Sequence, residues 1–372
     1  MSQKRPSTWG NPDRRHQTQL PAPAIEQIES LLFSWLSPGS FKPLRDVETQ
    51  QKLRDRLLTL PAMMAVVVSL VYRRIPSLSE VLRVLEVEGL LWVEPLKVTK
   101  QALSKRLATL PAQLFAQVFE QVMDRMQATQ ANLPVPVGWE SLQRNFTAVW
   151  IADGSTLEAL KKKLQALQEQ ATPLAGKMMM VVEAFHHRPV ATWYTTDAKA
   201  NDKTFADQLL TRLPSGGLLI FDLGFFSFVW FDAFTQENKF FLTRLRSKTA
   251  YQVSHCLSQG TLYRDEIICL GQYRSNPCQY PLRLVSVLWG KTCYYYLTNV
   301  LDPQQLSAQQ VCELYRRRWR IEEAFLLTKR LLGLAYLWVG GTNGVQIGLV
   351  KAERKRHRDN LARSQQIWAS FA

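Results

Sequence analysis

Cysteine is scarce in this chain, and what there is forms no pattern. Cys256, Cys269, Cys278, Cys293 and Cys312 are odd in number and include no CxxC pair. That argues against a disulfide framework or a zinc site and for a reducing compartment. Long apolar runs are missing as well. The longest, Ala62 to Tyr72, is interrupted by Ser69 and is too short to span a bilayer. The opening MSQKRPSTWGNPDRR has no apolar core of a secretory signal, so a soluble, cytoplasmic chain with no membrane partner is expected. Negative charge is also in deficit, with 31 Asp and Glu against 46 Lys and Arg, a formal charge of +15. A surplus of that size implies a polyanionic partner, nucleic acid foremost, because neutralised phosphates release counterions. What is present is ample apolar material: 372 residues, 46% of them hydrophobic, enough for two or three domains with a real core.

The pattern along the chain divides as follows. Residues 1–23 read as a flexible polar lead, and 24–135 as a helical, DNA-binding domain. The segment TLPA occurs at 59–62 and again at 109–112; in each, Thr is placed to cap and Pro to open a helix. Residues 77–91 and 98–110 read as a helix pair in which Thr99 caps the second helix. That helix would present Lys100, Lys105 and Arg106, as the groove-reading helix of a helix-turn-helix does. An ordinary helical pair with a solvated basic face fits equally. The Pro- and Gly-containing stretch 131–140 reads as a linker.

From 140 the pattern becomes strand-rich. FTAVWIADGS (146–155) is an apolar run ending in Asp153, and GLLIFDLGFF (217–226) is another ending in Asp222. KMMMVVEAF (177–185) and PVATWYTT (189–196) flank His-His-Arg as a hairpin would. A polar helix is predicted over 201–213 and a further strand over 239–247, while 248–300 alternates in β fashion. Ser307 followed by Gln310 is a capping-box start for a helix.

On that last helix Tyr315, Arg318, Glu322 and Lys329 share one stripe. At 100° per residue, Arg318, Glu322 and Lys329 fall roughly 60°, 20° and 40° behind Tyr315. Leu314, Ile321, Phe325 and Leu332 make a separate apolar stripe that can be buried. A carboxylate framed by a phenol, a guanidinium and an ammonium suits a metal-and-phosphate site; Glu323 points about 100° away. The plain alternative is a basic amphipathic helix with Glu322 paired to Arg318.

Asp153 and Asp222 each follow a buried-looking strand, where ligands bind at a sheet edge. Each also suits a turn. Strand–Asp, strand–Asp and helix–Glu together match a cluster that holds two divalent cations, Mg²⁺ or Mn²⁺ in its place. Arg318 and Lys329 would then grip DNA phosphates, and Tyr315 would bond a phosphate or stack near a base. Glu183, Asp197, Asp202 and Asp207 read as surface or cap residues.

In this order and spacing, Asp153 … Asp222 … Y-x2-R-x3-E-x6-K (315–329), with DLGFFS, FFLTRLRS, LTNV and ELYRRRWRIEEAF around it, the chain resembles the DDE transposases of bacterial insertion sequences. More narrowly, it looks like their IS-four family, over roughly residues 50–345. The resemblance implies an α/β, RNase H-like catalytic domain at 140–345 with a β-rich insertion at about 248–305, preceded by the all-helical domain. It implies Asp153, Asp222 and Glu322 as catalytic metal ligands for two Mg²⁺ ions, and Tyr315, Arg318 and Lys329 as DNA-positioning residues. It further implies cut-and-paste transposition at terminal inverted repeats, double-stranded target DNA, a homodimer on paired ends and a nucleoid-associated bacterial location. In the insertion, Trp289 or Tyr294 to Tyr296 would receive a flipped base, although cross-strand pairing explains them as well. The tail 346–372 is basic and departs from the family's apolar continuation, as a frameshifted or truncated ending would. Two other readings remain: a truncated, non-catalytic transposase that binds DNA as an inhibitor, and a plain RNase H-like nuclease.

Overall fold

The computed structural model describes residues 24–36, 57–73, 75, 77–130, 135–156, 176–186, 188–195, 197, 199–319 and 321. The chain forms two compact units, Met1–Thr99 and Lys100–Ala372. The first contains helices α1 (Ile25–Trp35), α2 (Leu60–Tyr72) and α3 (Leu78–Val87). Helix α2 is apolar all round and its Met63 to Val68 are buried, as expected of a helix enclosed by neighbours. Arg73, just past its end, bonds Glu29 at 2.7 Å and Glu88 at 2.9 Å, tying all three helices together.

The two TLPA segments behave differently. Thr59 Oγ1 accepts the Ala62 N–H at 3.4 Å and so caps α2. Thr109 Oγ1 instead donates back to the Lys105 carbonyl at 2.9 Å, closing α4 (Lys100–Thr109), while α5 (Ala112–Gln130) starts after Pro111. Both segments therefore open a helix, but at the second the Thr hydroxyl bonds back into α4, which already occupies the upstream residues, and does not cap α5. The unit boundary falls between the two helices of the expected helix-turn-helix, ahead of the linker at 131–140. No helix among the described residues is long and apolar enough to cross a membrane.

The second unit is built on one nine-stranded sheet among the described residues, in the order β3-β2-β1-β4-β5-β9-β8-β7-β6. Strands β1 (Val149–Thr156), β2 (Lys177–Glu183) and β3 (Pro189–Thr195) form an antiparallel meander, with the β2–β3 hairpin where the sequence places it. Strands β4 (Leu218–Ile220) and β5 (Phe240–Arg244) then run parallel to β1. A 3₁₀ turn (Asp202–Phe205) and α7 (Ala206–Arg212) lead from β3 into β4, and a second 3₁₀ turn (Leu223–Phe225) and α8 (Phe228–Gln236) join β4 to β5. The core behind these strands is aromatic: Phe221 packs on Phe225, Trp230, Phe231, Phe234 and Phe241 with ring centroids 4.7–6.4 Å apart. Strands alternate sides, so burying Phe221 turns Asp222 away from that core.

The expected β-rich insertion is a meander of β6 (Tyr251–Gln259), β7 (Tyr263–Leu270), β8 (Leu282–Trp289) and β9 (Thr292–Thr298). It extends the same sheet, because β9 pairs antiparallel with β5 through Leu242↔Thr298 and Arg244↔Tyr296. Fully buried Arg283 of β8 grips Asp265 of β7 with two bonds of 2.7 and 2.6 Å, and its Nη1 donates to the Leu306 carbonyl at 2.6 Å. This holds the entry to α9 (Ala308–Arg317). That helix carries the expected capping box of Ser307 and Gln310. Gln310 also bonds Ser141, at 2.8 Å, on α6 (Glu140–Asn145), and Asn145 bonds the Gln305 carbonyl at 2.8 Å.

Candidate functional site

Parallel pairing of β1 with β4 ends at Ile151↔Ile220. Asp153 and Asp222 each lie two residues farther on, so they stand at one level on adjacent strands, which are about 4.8 Å apart. One expectation needs correcting. Only Asp222 follows the end of its strand; Asp153 is inside β1, because β2 keeps pairing it through Asp153↔Met180 to Thr156↔Lys177. The turn reading of Asp222 also holds, since its Oδ1 accepts the Gly224 N–H at 2.8 Å and caps the 3₁₀ turn. Asp153 Oδ1 likewise accepts the Gly154 N–H, at 2.9 Å.

Helix α9 brings Tyr315 and Arg318 to this pair. Arg318 Nη1 donates to Asp153 Oδ2 at 2.8 Å, and its guanidinium lies 5.7 Å from the Tyr315 ring centroid and 5.2 Å from that of Trp319. Tyr315 is buried and packs on Tyr296 of β9 at 5.3 Å. Burial raises its hydroxyl above the ordinary tyrosine range, while Arg318 and Arg244 oppose the shift and Asp222 adds to it. Both residues thus face inward on the aspartates.

The helix also departs from a uniform 100° projection. Arg318, Trp319 and Ile321 each donate to the carbonyl three residues back, the tighter 3₁₀ pattern, which advances about 120° per residue. Glu322 and Lys329 lie outside the described residues. On α4, Lys100 and Lys105 are exposed. Arg106 is only 8% exposed, so it leaves the expected basic face; it sits on the buried side with Leu103, Leu107 and Leu110. Trp289 is 70% and Tyr295 40% exposed, whereas Tyr296 is engaged by Tyr315.

One further acid joins the site. Asp202, read from sequence as a cap, places its carboxylate against both Gly154 and Gly224, and a Cβ on either glycine would collide with it. Lys177 of β2 pairs with Asp202 at 2.7 Å and donates to the Ala200 carbonyl at 2.8 Å. Nothing in the local sequence distinguishes this Asp from a turn former. The usable signal was the pair of glycines next to Asp153 and Asp222, which permits the close approach.

The electrostatics follow from burial and crowding. Burial pushes the Asp153 carboxyl up to about 6; Arg318 and the Gly154 N–H pull it down, and Asp222 and Asp202 push it further up. Hard carboxylate oxygens facing one another at one sheet edge fit a divalent cation, which relieves their mutual repulsion. Among the described residues no three His, Cys, Asp or Glu side chains are placed to hold a metal ion; the third expected ligand is Glu322.

A family model described as "Transposase DDE domain" matches residues 145–347, which include every strand of the sheet and α9. The chain is also 26% identical over 166 residues to a protein of Sinorhizobium fredii named "Putative transposase y4zB". That match covers 42% of this chain and 45% of the relative.

Proposed function

The chain belongs to the family of transposases with a DDE domain, whose catalytic domain is RNase H-like, and from that premise we propose that it is a cut-and-paste DNA transposase of a bacterial insertion sequence. In this reading it is of the IS-four type, cleaves DNA at terminal inverted repeats and joins the freed 3′-hydroxyl to a target duplex, as a homodimer on paired ends. The observation that carries it is the parallel register that puts Asp153 and Asp222 side by side, with Arg318 and Tyr315 of α9 turned onto them.

Asp153, Asp222 and Glu322 would hold the two Mg²⁺ ions. When bound, these would activate the attacking water or 3′-hydroxyl and offset charge on the leaving oxygen. Arg318 fixes the Asp153 carboxylate and shares its charge, so that this acid stays ionised despite its burial. Tyr315, wedged between Tyr296 and Arg318, sets the position of that guanidinium. Lys329, with exposed Lys100 and Lys105, would bind phosphates.

The test is an excision and joining assay with purified protein, Mg²⁺ and a DNA fragment bearing both flanks of its own gene. Wild type should cut at the element's ends, and Asp222→Asn should lose about 10³-fold or more, as when several kcal/mol of charge stabilisation is removed. Binding without cutting would point to the inhibitor, and nicking without preference for the ends to a plain nuclease.

A further inference from the structure

A cavity of about 300 Å³ lies where the segments that follow Asp222 and β5 meet the β7–β8 loop, and it has no part in the chemistry above. Ser227, Arg246, Thr249, Arg274, Ser275 and Asn276 supply its polar lining. Two of the chain segments that line it start from the carboxyl edge of the parallel strands. Phe226 to Phe228 follow Asp222 through the second 3₁₀ turn, and Arg246 to Ala250 follow the end of β5. Because β4 and β5 are parallel, both segments emerge on the edge that carries Asp222.

The cavity is held in shape from both sides. Arg246 lies over the Phe226 ring at 5.3 Å, which fixes the plane of its guanidinium. The β7–β8 loop bearing Arg274 is pinned to α8 by buried Asp232, whose carboxylate accepts the N–H groups of Gln279 at 3.0 Å and Tyr280 at 3.3 Å. The loop turns at Gly271, whose φ of +91° other residues rarely adopt, and Arg274 N–H closes that turn on the Gly271 carbonyl at 2.9 Å. Among the described residues, neither Arg246 nor Arg274 is paired with a carboxylate, whereas Arg283 and Arg318 both are.

Two unpaired guanidinium groups converge here with three hydroxyls and an amide. These donors, set beside the rings of Phe226 and Phe228, match a phosphodiester, which accepts hydrogen bonds and takes Arg in a forked geometry. We propose that this cavity receives a backbone phosphate of the DNA duplex. The assignment rests on the transposase reading and adds to it a phosphate-positioning role for Arg246 and Arg274. Contacts of this kind fix register and carry no sequence information of their own.

Salt titration of binding to a duplex of arbitrary sequence tests it, read by fluorescence anisotropy on the full-length protein. Each phosphate contact contributes about 0.9 to the slope of log affinity against log salt. Arg246→Gln with Arg274→Ala should therefore lower the slope by about 0.9, the share of one phosphate. Arg212→Ala, an exposed residue on α7 ahead of β4 and so at the opposite edge, should leave it unchanged. Arg274→Ala alone, at an exposed loop position, should remove about half of the effect and guards against misfolding. A double variant that keeps the wild-type slope, while wild type binds and cuts DNA, overturns the phosphate assignment alone. A wild-type protein that binds no duplex overturns the transposase reading and this inference with it.

Discussion

The Arg318 guanidinium donates to the Asp153 carboxylate at 2.8 Å, joining a turn at the end of α9 to the middle of β1 across 165 positions of sequence. Both side chains are about nine-tenths buried, with 9% and 12% of their surface exposed. This contact makes helix and sheet edge one site.

Removing either partner should strand the other charge in a poorly solvated place. Arg318→Met and Asp153→Asn are each expected to cost about 3–5 kcal/mol, and the double variant should recover much of that loss. Denaturation midpoints of the four proteins measure this directly. Costs that simply add in the double variant would show that the ion pair does not couple the two elements.

Gly154 and Gly224 should be intolerant of a methyl group for one shared reason, the Asp202 carboxylate between them. Gly154→Ala or Gly224→Ala is expected to destabilise by about 1–3 kcal/mol through overpacking. Combining Gly224→Ala with Asp202→Ala should restore part of the loss, as thermal melts would reveal. No rescue would mean that the glycines serve the backbone alone.

Glu183 predicts a loss of stability in acid. Burial by itself would raise its carboxyl, but the His186 side chain and the backbone N–H groups of His186 and Phe185 outweigh burial and hold it below its ordinary 4.5. A depressed folded value means that the stabilisation is fully present above about pH 4.5 and fades as the pH falls through the folded value. Melting temperature should therefore fall less steeply on acidification in Glu183→Gln than in wild type. Parallel curves for the two proteins would contradict this account.

Local pattern made much of this legible. Apolar runs closed by Asp, the hairpin flanking His-His-Arg, and Ser307 with Gln310 are all signals carried by a few adjacent residues, and each has its counterpart in the sheet or in α9. What the sequence did not disclose depends on the crossover between strands. Asp202 meets Gly154 and Gly224 only because β1 and β4 lie side by side in parallel register. Helical spacing placed Tyr315 and Arg318 near one another but could not say that they face inward, since the Asp153 partner lies on another element. Likewise Arg106 looks like one more basic residue until the burial of its neighbours Leu103 and Leu107 shows which side of α4 it occupies.

Manganese binding tests the central claim most directly, because it asks whether the two aspartates act as one cation site without requiring any DNA. Titration of the full-length protein with Mn²⁺, followed by electron paramagnetic resonance of the free ion, should show binding in wild type. Asp153→Asn and Asp222→Asn should each weaken it by about tenfold or more, the equivalent of 1.4 kcal/mol for one lost carboxylate. Undiminished Mn²⁺ binding in both variants, with the fold intact by circular dichroism, would contradict the account.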